Sequence, residues 1–333
     1  MTKIQRRWMS SAFPLPSYMQ LAQNFPHIFQ TTCSHARKPK QTVNIIEVGP
    51  RDGLQNERKL LTVEQKSVLI HKLGDCGIRD IECGSLVNYN LVPQMQGTPD
   101  VIKQIQIRAG LKKSILVPHV NYLKQYQDIL PLVDEVVLFV SASNTFNSKN
   151  INANVDSAFA RFQAIKQFLN NHPDPHVKQI ALRGSISCCW GCPYEGEVKY
   201  HQIADIINKY INDIQTHSVD ICDTIGVATP ETTHQLLHRI QQEFAAYHVP
   251  FTVHLHDTNG QAVHSAITAV DLGYKHIHSS VAGLGGCPFS NKRVGNLDTV
   301  KLVEALHSHG VYTGIHLPDL RNTAKWIKEL LLR

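Results

Sequence analysis

No run of apolar residues in this 333-residue chain approaches the ~20 needed to cross a bilayer, so a membrane-spanning protein is excluded and a soluble, intracellular one expected. Basic residues are not gathered into a stripe. They lie scattered among acidic ones and leave a formal net charge of only +6, which argues against a nucleic-acid partner. That modest positive field instead favours an anionic substrate such as a carboxylate or an acyl-coenzyme A ester. The eight cysteines (33, 76, 83, 188, 189, 192, 222 and 287) form no close-spaced framework in so long a chain, so reduced thiols are expected rather than disulfides. Acidic residues are absent from positions 1–46, where Lys3, Arg6, Arg7, Arg37, Lys38 and Lys40 stand among Ser, Thr, Phe and Pro. This is the composition of an organelle transit peptide. Pro14, Pro16 and Pro26 argue against one amphipathic helix there, and residues 1–42 are read as a basic leader, disordered or targeting, on a cytoplasmic protein. The mitochondrial matrix is the alternative.

What is present, from Val43 onward, is alternation. Short β-branched or aliphatic runs at Val43 to Val48, Asp80 to Cys83, Ser114 to Val117, Glu135 to Val140, Gln179 to Ser187, Ser218 to Cys222, Phe251 to His256 and His276 to Val281 are separated by longer stretches of helical periodicity. Thr62 and Gln65 make a capping box for one such helix, and Gly77 can close it. Eight strand-plus-helix units predict an α/β fold in which residues 43–333 form a parallel (β/α)8 barrel with a short C-terminal helical extension; the length suits one such barrel, typically roughly 250 residues plus insertions. No glycine-rich phosphate loop follows the first strand to favour an open doubly wound sheet.

Residues with chemical capacity gather where the predicted strands end: Arg51 and Asp52, Glu82, Asp223, His254 and His256. A barrel brings those ends to one face. In His254-Leu255-His256 the strand period of two puts both imidazoles on one side, as two ligands of one metal require. His276-Ile277-His278 has the same spacing but lacks a following carboxylate, and is read as structural. Cys189-Trp190-Gly191-Cys192 has no second close pair to complete a zinc site and is read as a loop lining the site. Gly283 through Pro288 is a glycine-rich loop able to hold the Cys287 thiol over the barrel mouth, with the freedom a lid needs.

Taken together, the blocks Glu47 through Glu57 (EVGPRDGLQNE), Val92-Pro93-Gln94-Met95, Lys149 through Asn152, Gly191 through Gly196, Asp223-Thr224-Ile225-Gly226, His254 through Thr258 and Ser279 through Pro288 resemble the 3-hydroxy-3-methylglutaryl-coenzyme A lyase family, from about Val43 to Gly314. The resemblance implies that Asp52, His254, His256 and Asn296 hold a divalent metal, Mg²⁺ or Mn²⁺, a choice that suits oxygen and imidazole donors. It implies retro-Claisen cleavage of an acyl-coenzyme A substrate to acetyl-coenzyme A and acetoacetate, a reaction of leucine degradation and ketone-body metabolism, and a homodimer as one candidate assembly. Arg51 would neutralise the enolate oxygen, His254 or a neighbouring carboxylate would take the hydroxyl proton, and Cys287 would protonate the enolate carbon. Glu82 and Asp223 would orient these groups, while Gln55, Lys292 and Arg293 would join Arg51 in binding substrate.

The chain departs from the family pattern at Asn144 (for Ser-Glu), Ser185 (for Tyr), His119 (for Asn), His278 (for Asp), Val300 (for Glu) and Lys292-Arg293-Val294 (for small residues), and its sixth strand is one residue short before Asp223. These changes predict altered rate or acyl specificity. The rival readings are a related lyase or aldolase acting on another 3-hydroxyacyl thioester, and a catalytically weakened metal-binding paralogue.

Overall fold

The computed structural model describes residues 41–105, 110–285 and 295–332. Cys287, Lys292 and Arg293 lie outside these residues, as does nearly all of the 1–42 leader. The described residues begin with a short strand β1 (Gln41–Thr42) that pairs in parallel with β10 (Val311–Tyr312). Between them β2 (Asn44–Glu47), β3 (Asp80–Ser85), β4 (Lys112–Leu116), β5 (Glu135–Ser141), β6 (Ala181–Ser187), β7 (Ser218–Asp223), β8 (Phe251–Leu255) and β9 (His276–Ser279) form a closed barrel in chain order. Every neighbouring pair is parallel, including the closing pair β2 and β9. All eight predicted strands are found. β6 starts two residues later than its apolar pattern suggests, because Pro175–Lys178 makes a helical turn whose last donors run on to Gln179 and Ile180.

Local chemistry decides the connections. Thr62 Oγ1 accepts from the Gln65 amide at 3.2 Å while the Gln65 side chain accepts from the Thr62 amide at 3.0 Å, so the helix Val63–Asp75 starts with two of its orphan donors satisfied. Gly77 ends it at φ +102°, packed so closely on the Gly314 carbonyl that no β-carbon fits. The C-terminal helix Leu317–Leu332 packs Leu320, Ala324 and Ile327 inward as the predicted extension. Among the described residues no helix is long and apolar enough to cross a membrane.

The barrel interior is unusual in holding charge. Barrels are ordinarily filled by layers of bulky apolar side chains, yet Arg183 on β6 is only 1% exposed and points into the centre. Its guanidinium lies 3.1 Å from Glu82, 3.1 Å from Glu135 and 3.6 Å from Asp220, and 2.7 Å from His278 Nε2. Lys112 adds a second cation, 2.5 Å from Glu135 and 3.5 Å from Asp80. Buried charges persist only when paired in this way. Burial still pushes the Asp220 carboxyl up to about 7, against the pull of Arg183.

Glu47, fully buried at the end of β2, staples three segments together. Its carboxyl accepts from the Gly49 and Val281 amides at 2.8 Å each and from Thr299 Oγ1 at 2.7 Å. A β-carbon on Gly49 would stand 2.5 Å from that carboxyl. Burial outweighs the three hydrogen bonds and raises Glu47 from its ordinary 4.5 to about 7. A raised folded-state pKa means that the native protein binds the proton more tightly than the unfolded chain. The associated stability is therefore complete below about pH 4.5 and lost as pH rises through about 7. Glu47→Gln, which has no proton to lose, is expected to flatten this dependence. Between about pH 5 and 8 the wild-type unfolding free energy should fall by on the order of 3 kcal/mol relative to the variant, measured by urea titration; parallel profiles would refute the assignment.

Candidate active site

The C-terminal ends of the strands gather the predicted residues at one cavity of about 1050 Å³, lined among others by Arg51, Asp52, Gln55, His254 and His256. Arg51 and Asp52 sit in a single helical turn, Gly49–Gly53, directly after β2. β8 carries His254, and His256 follows its last residue. Asn296 arrives from far along the chain. Its segment is pinned to β8 by Leu297 donating to the Leu255 carbonyl at 3.0 Å and Asp257 donating to the Gly295 carbonyl at 3.1 Å, so that Asn296 bridges to His256.

Asp52, His254 and His256 each bring one ligand atom within 4.8 Å of the others, and among the described residues no other group of His, Cys, Asp or Glu does so. The donor chemistry fits a divalent cation. Asn296 Nδ2 donates to Asp52 Oδ2 at 2.8 Å and to the Leu284 carbonyl at 3.0 Å, while its Oδ1 is buried without any partner. An orphaned carbonyl oxygen beside a carboxylate and two imidazoles is a donor set that fits a divalent cation. His256 Nδ1 donates to the Asp223 carbonyl at 2.8 Å, which leaves the Nε2 lone pair for a metal. Burial and the neighbouring His256 push His254 down to about 3, so its imidazole is neutral and keeps a lone pair. Burial alone would raise Asp52, but Arg51 and both histidines hold it well below the usual carboxylate range.

Arg51 is gripped from two sides: Nη1 donates to Asp52 Oδ1 at 2.7 Å and Nε to Glu82 Oε1 at 2.5 Å. Its guanidinium is thereby fixed at the cavity wall with Nη2 outside both contacts. Glu82 in turn reaches Arg183 with its second oxygen. A register shift between β3 and β4 at Glu82 and Gly84 re-aims this strand where it does so.

One reading from sequence is corrected here, and two gain detail. Asp223 reaches His256 through its backbone carbonyl; its carboxylate is turned away to accept from the Val227 and Ala228 amides at 3.1 and 2.8 Å, and burial raises its pKa. Cys189 and Cys192 do not line the cavity. Their thiols go to the Ile186 carbonyl and to Ser143 Oγ, and the six described cysteines are all free and buried. His278, read from sequence as structural, packs against the candidate ligands. It is buried with Nδ1 3.2 Å from His254 Nδ1 and Nε2 against Arg183, whereas His276, at the strand's outer end, is half-buried. The one sequence signal for His278 is position, one residue inward from the end of β9, the strand beside β8.

Sequence reasoning also passed over Arg183 and Glu47, because an isolated charged residue in a strand gives no hint of its partners. Of the departures from the family pattern, His119, Ser185 and His278 line the cavity, whereas Asn144 and Val300 do not. Gly283 and Gly285 adopt φ +64° and +88°, and the Gly285 carbonyl accepts from Asn296 at 3.1 Å. The described start of the glycine-rich loop is therefore tied to Asn296.

An eight-stranded parallel barrel with this ligand set and a clamped arginine at its C-terminal mouth defines the class: a (β/α)8-barrel lyase with a candidate metal centre. The HMGL-like family model matches residues 42–327, and the chain belongs to that family. It is 37% identical over 304 residues to the mitochondrial hydroxymethylglutaryl-CoA lyase of Homo sapiens, covering 91% of this chain and 90% of that protein. To the cytoplasmic 3-hydroxy-3-methylglutaryl-CoA lyase of Danio rerio it is 34% identical over 321 residues, covering 95% and 92%. The crystal structure of the HMG-CoA lyase from Brucella melitensis superposes with a TM-score of 0.81 at 33% identity, over 88% of this chain and 100% of that one.

Proposed function

We propose that the protein is a metal-dependent carbon–carbon lyase that cleaves 3-hydroxy-3-methylglutaryl-CoA to acetyl-CoA and acetoacetate. The observation that carries this reading is the convergence of Asp52, His254, His256 and the partnerless Asn296 Oδ1 beside a clamped Arg51. A divalent metal held by these four side chains, Mg²⁺ or Mn²⁺, would supply Lewis acidity that lowers the pKa of the substrate's tertiary hydroxyl.

The rest falls to the chain's own groups. The Asp52 carboxylate, which has oxygen lone pairs to spare, takes the hydroxyl proton, whereas the one lone pair of neutral His254 would be committed to the metal. The bond between C2 and C3 then breaks, its electron pair passing to the thioester as an enolate while C3 becomes the ketone of acetoacetate. Arg51 is positioned to neutralise the enolate oxygen as charge develops there. Cys287 donates the proton that turns the enolate into acetyl-CoA, so the reaction consumes no water. Gln55 lines the cavity for the acyl group, and Lys292 and Arg293 are assigned to the coenzyme A phosphates.

Purified protein supplied with 3-hydroxy-3-methylglutaryl-CoA and Mg²⁺ should release acetoacetate and acetyl-CoA in equal amounts. Cys287→Ala should lower that rate by about 10²- to 10⁴-fold, the usual span for loss of a general acid. No product above the Cys287→Ala control would sink the lyase reading. The cytoplasm is the compartment we assign; relatives carry both cytoplasmic and mitochondrial names, and the mass of the N-terminal peptide from native protein decides between them.

A further inference from the structure

The inner surface of the barrel is short-sided next to His254. Strand alternation turns Arg183, Ser185 and Ser187 of β6 inward, and Asp220 and Cys222 of β7 beside them. Ser185, Ser187, Asp220 and Cys222 all line the cavity. Ser185 Oγ touches Cys222 Sγ at 3.4 Å, and Cys222 stands in register beside His254. On the other flank Phe139 of β5 is in register with Ser185 and forms the wall. Positions that barrels fill with branched aliphatic side chains therefore hold a serine and a cysteine here. The cavity runs down past the metal-ligating histidine until Asp220, 1% exposed, closes it.

We infer that this recess, bounded by Phe139, Ser185, Cys222 and Asp220, takes a substituent on the carbinol carbon of the substrate that is longer than methyl, so that the protein's substrates include 3-hydroxyacyl-CoA thioesters with a 3-ethyl or 3-propyl group. The inference rests on the lyase reading above and names the substrate class of that same site. Its physical basis is volume. His254 is one of the groups that would hold the substrate's hydroxyl-bearing carbon, and the space immediately beside it is not filled by the protein. A tight pocket discriminates one methylene by about 10- to 200-fold, whereas an unfilled one cannot.

The test compares kcat/KM for 3-hydroxy-3-methylglutaryl-CoA and its 3-ethyl homologue with Mg²⁺. The native protein should turn over the 3-ethyl compound within about tenfold of the 3-methyl one, a smaller penalty than a filled pocket imposes. Ser185→Phe, which fills the recess, should lower the ethyl-to-methyl ratio by about 100-fold, while Ser185→Ala, which keeps it open, should leave the ratio in place. Native discrimination against ethyl of 100-fold or more, or a Ser185→Phe ratio equal to that of the native protein, would overturn the inference. Calorimetric Kd values for both thioesters read the recess even where neither is cleaved. Absent turnover of both then counts against the lyase reading, and the affinity ratio alone decides the recess. Circular dichroism and melting of Ser185→Phe confirm that a changed ratio comes from folded protein.

Discussion

Asp52→Asn is expected to weaken metal binding by 100-fold or more and to lower turnover by about 10³-fold, which corresponds to roughly 4 kcal/mol of lost transition-state stabilisation. The substitution keeps the side chain's volume but removes the one anionic donor of the set. It also places an amide where Asn296 Nδ2 and Arg51 Nη1 both need an acceptor, since Asp52 now receives both at 2.8 and 2.7 Å. One of those donors would face a second donor, and the Asn296 Oδ1 orientation that the pair sets would be lost. Titrating Mn²⁺ into native and variant protein, and following the free-ion electron paramagnetic resonance signal, measures this directly. The native protein should take up close to one equivalent, and the variant should show affinity weaker by 100-fold or more. Chelation of the native protein should reproduce the activity loss, with recovery when Mg²⁺ or Mn²⁺ is added back. Equal Mn²⁺ affinity in the two proteins would remove Asp52 from the metal site.

Arg51→Lys should lower kcat by about 10²- to 10³-fold with little change in KM, the range seen when a charge-stabilising donor is removed. Lysine keeps the charge but not the fork. A single ammonium cannot hold Glu82 through Nε and Asp52 through Nη1 and still present a further donor to the cavity. Arg51 acts on charge that exists only as the enolate forms, so its loss belongs in kcat. Mn²⁺ affinity should stay within a few-fold of native, which separates this variant from Asp52→Asn. A raised KM with unchanged kcat would make Arg51 a ground-state binding residue and contradict the role assigned here.

These two residues were legible early because they are adjacent in the chain and follow a strand. The same holds for His254 and His256, whose spacing of two needs nothing beyond the strand period. Asn296 could be named only through resemblance. Nothing in Gly295-Asn296-Leu297 announces a ligand, and its orphaned oxygen exists only because backbone pairing to β8 swings it beside Asp52. Likewise, the spacing that makes His254 and His256 a pair is shared by His276 and His278, and it was the carboxylate of Asp257 after His256, not the spacing, that set the two pairs apart.

The sequence by itself determined the architecture and pointed to the candidate site. Period-two runs alternating with helical ones demand a parallel sheet closed by its own crossovers, caps such as Thr62 and Gln65 act within one turn of chain, and barrel geometry sends every strand end to one mouth. Only the tertiary structure decided the supports: Arg183 among Glu82, Glu135, Asp220 and His278, Glu47 under Gly49, Val281 and Thr299, the backbone carbonyl of Asp223 behind His256, and the recess beside Ser185. The reason is range. Hydrophobic period and capping are properties of neighbouring residues, whereas a buried charge finds its partners, and a short side chain leaves its space, only when strands distant in the chain are brought into register.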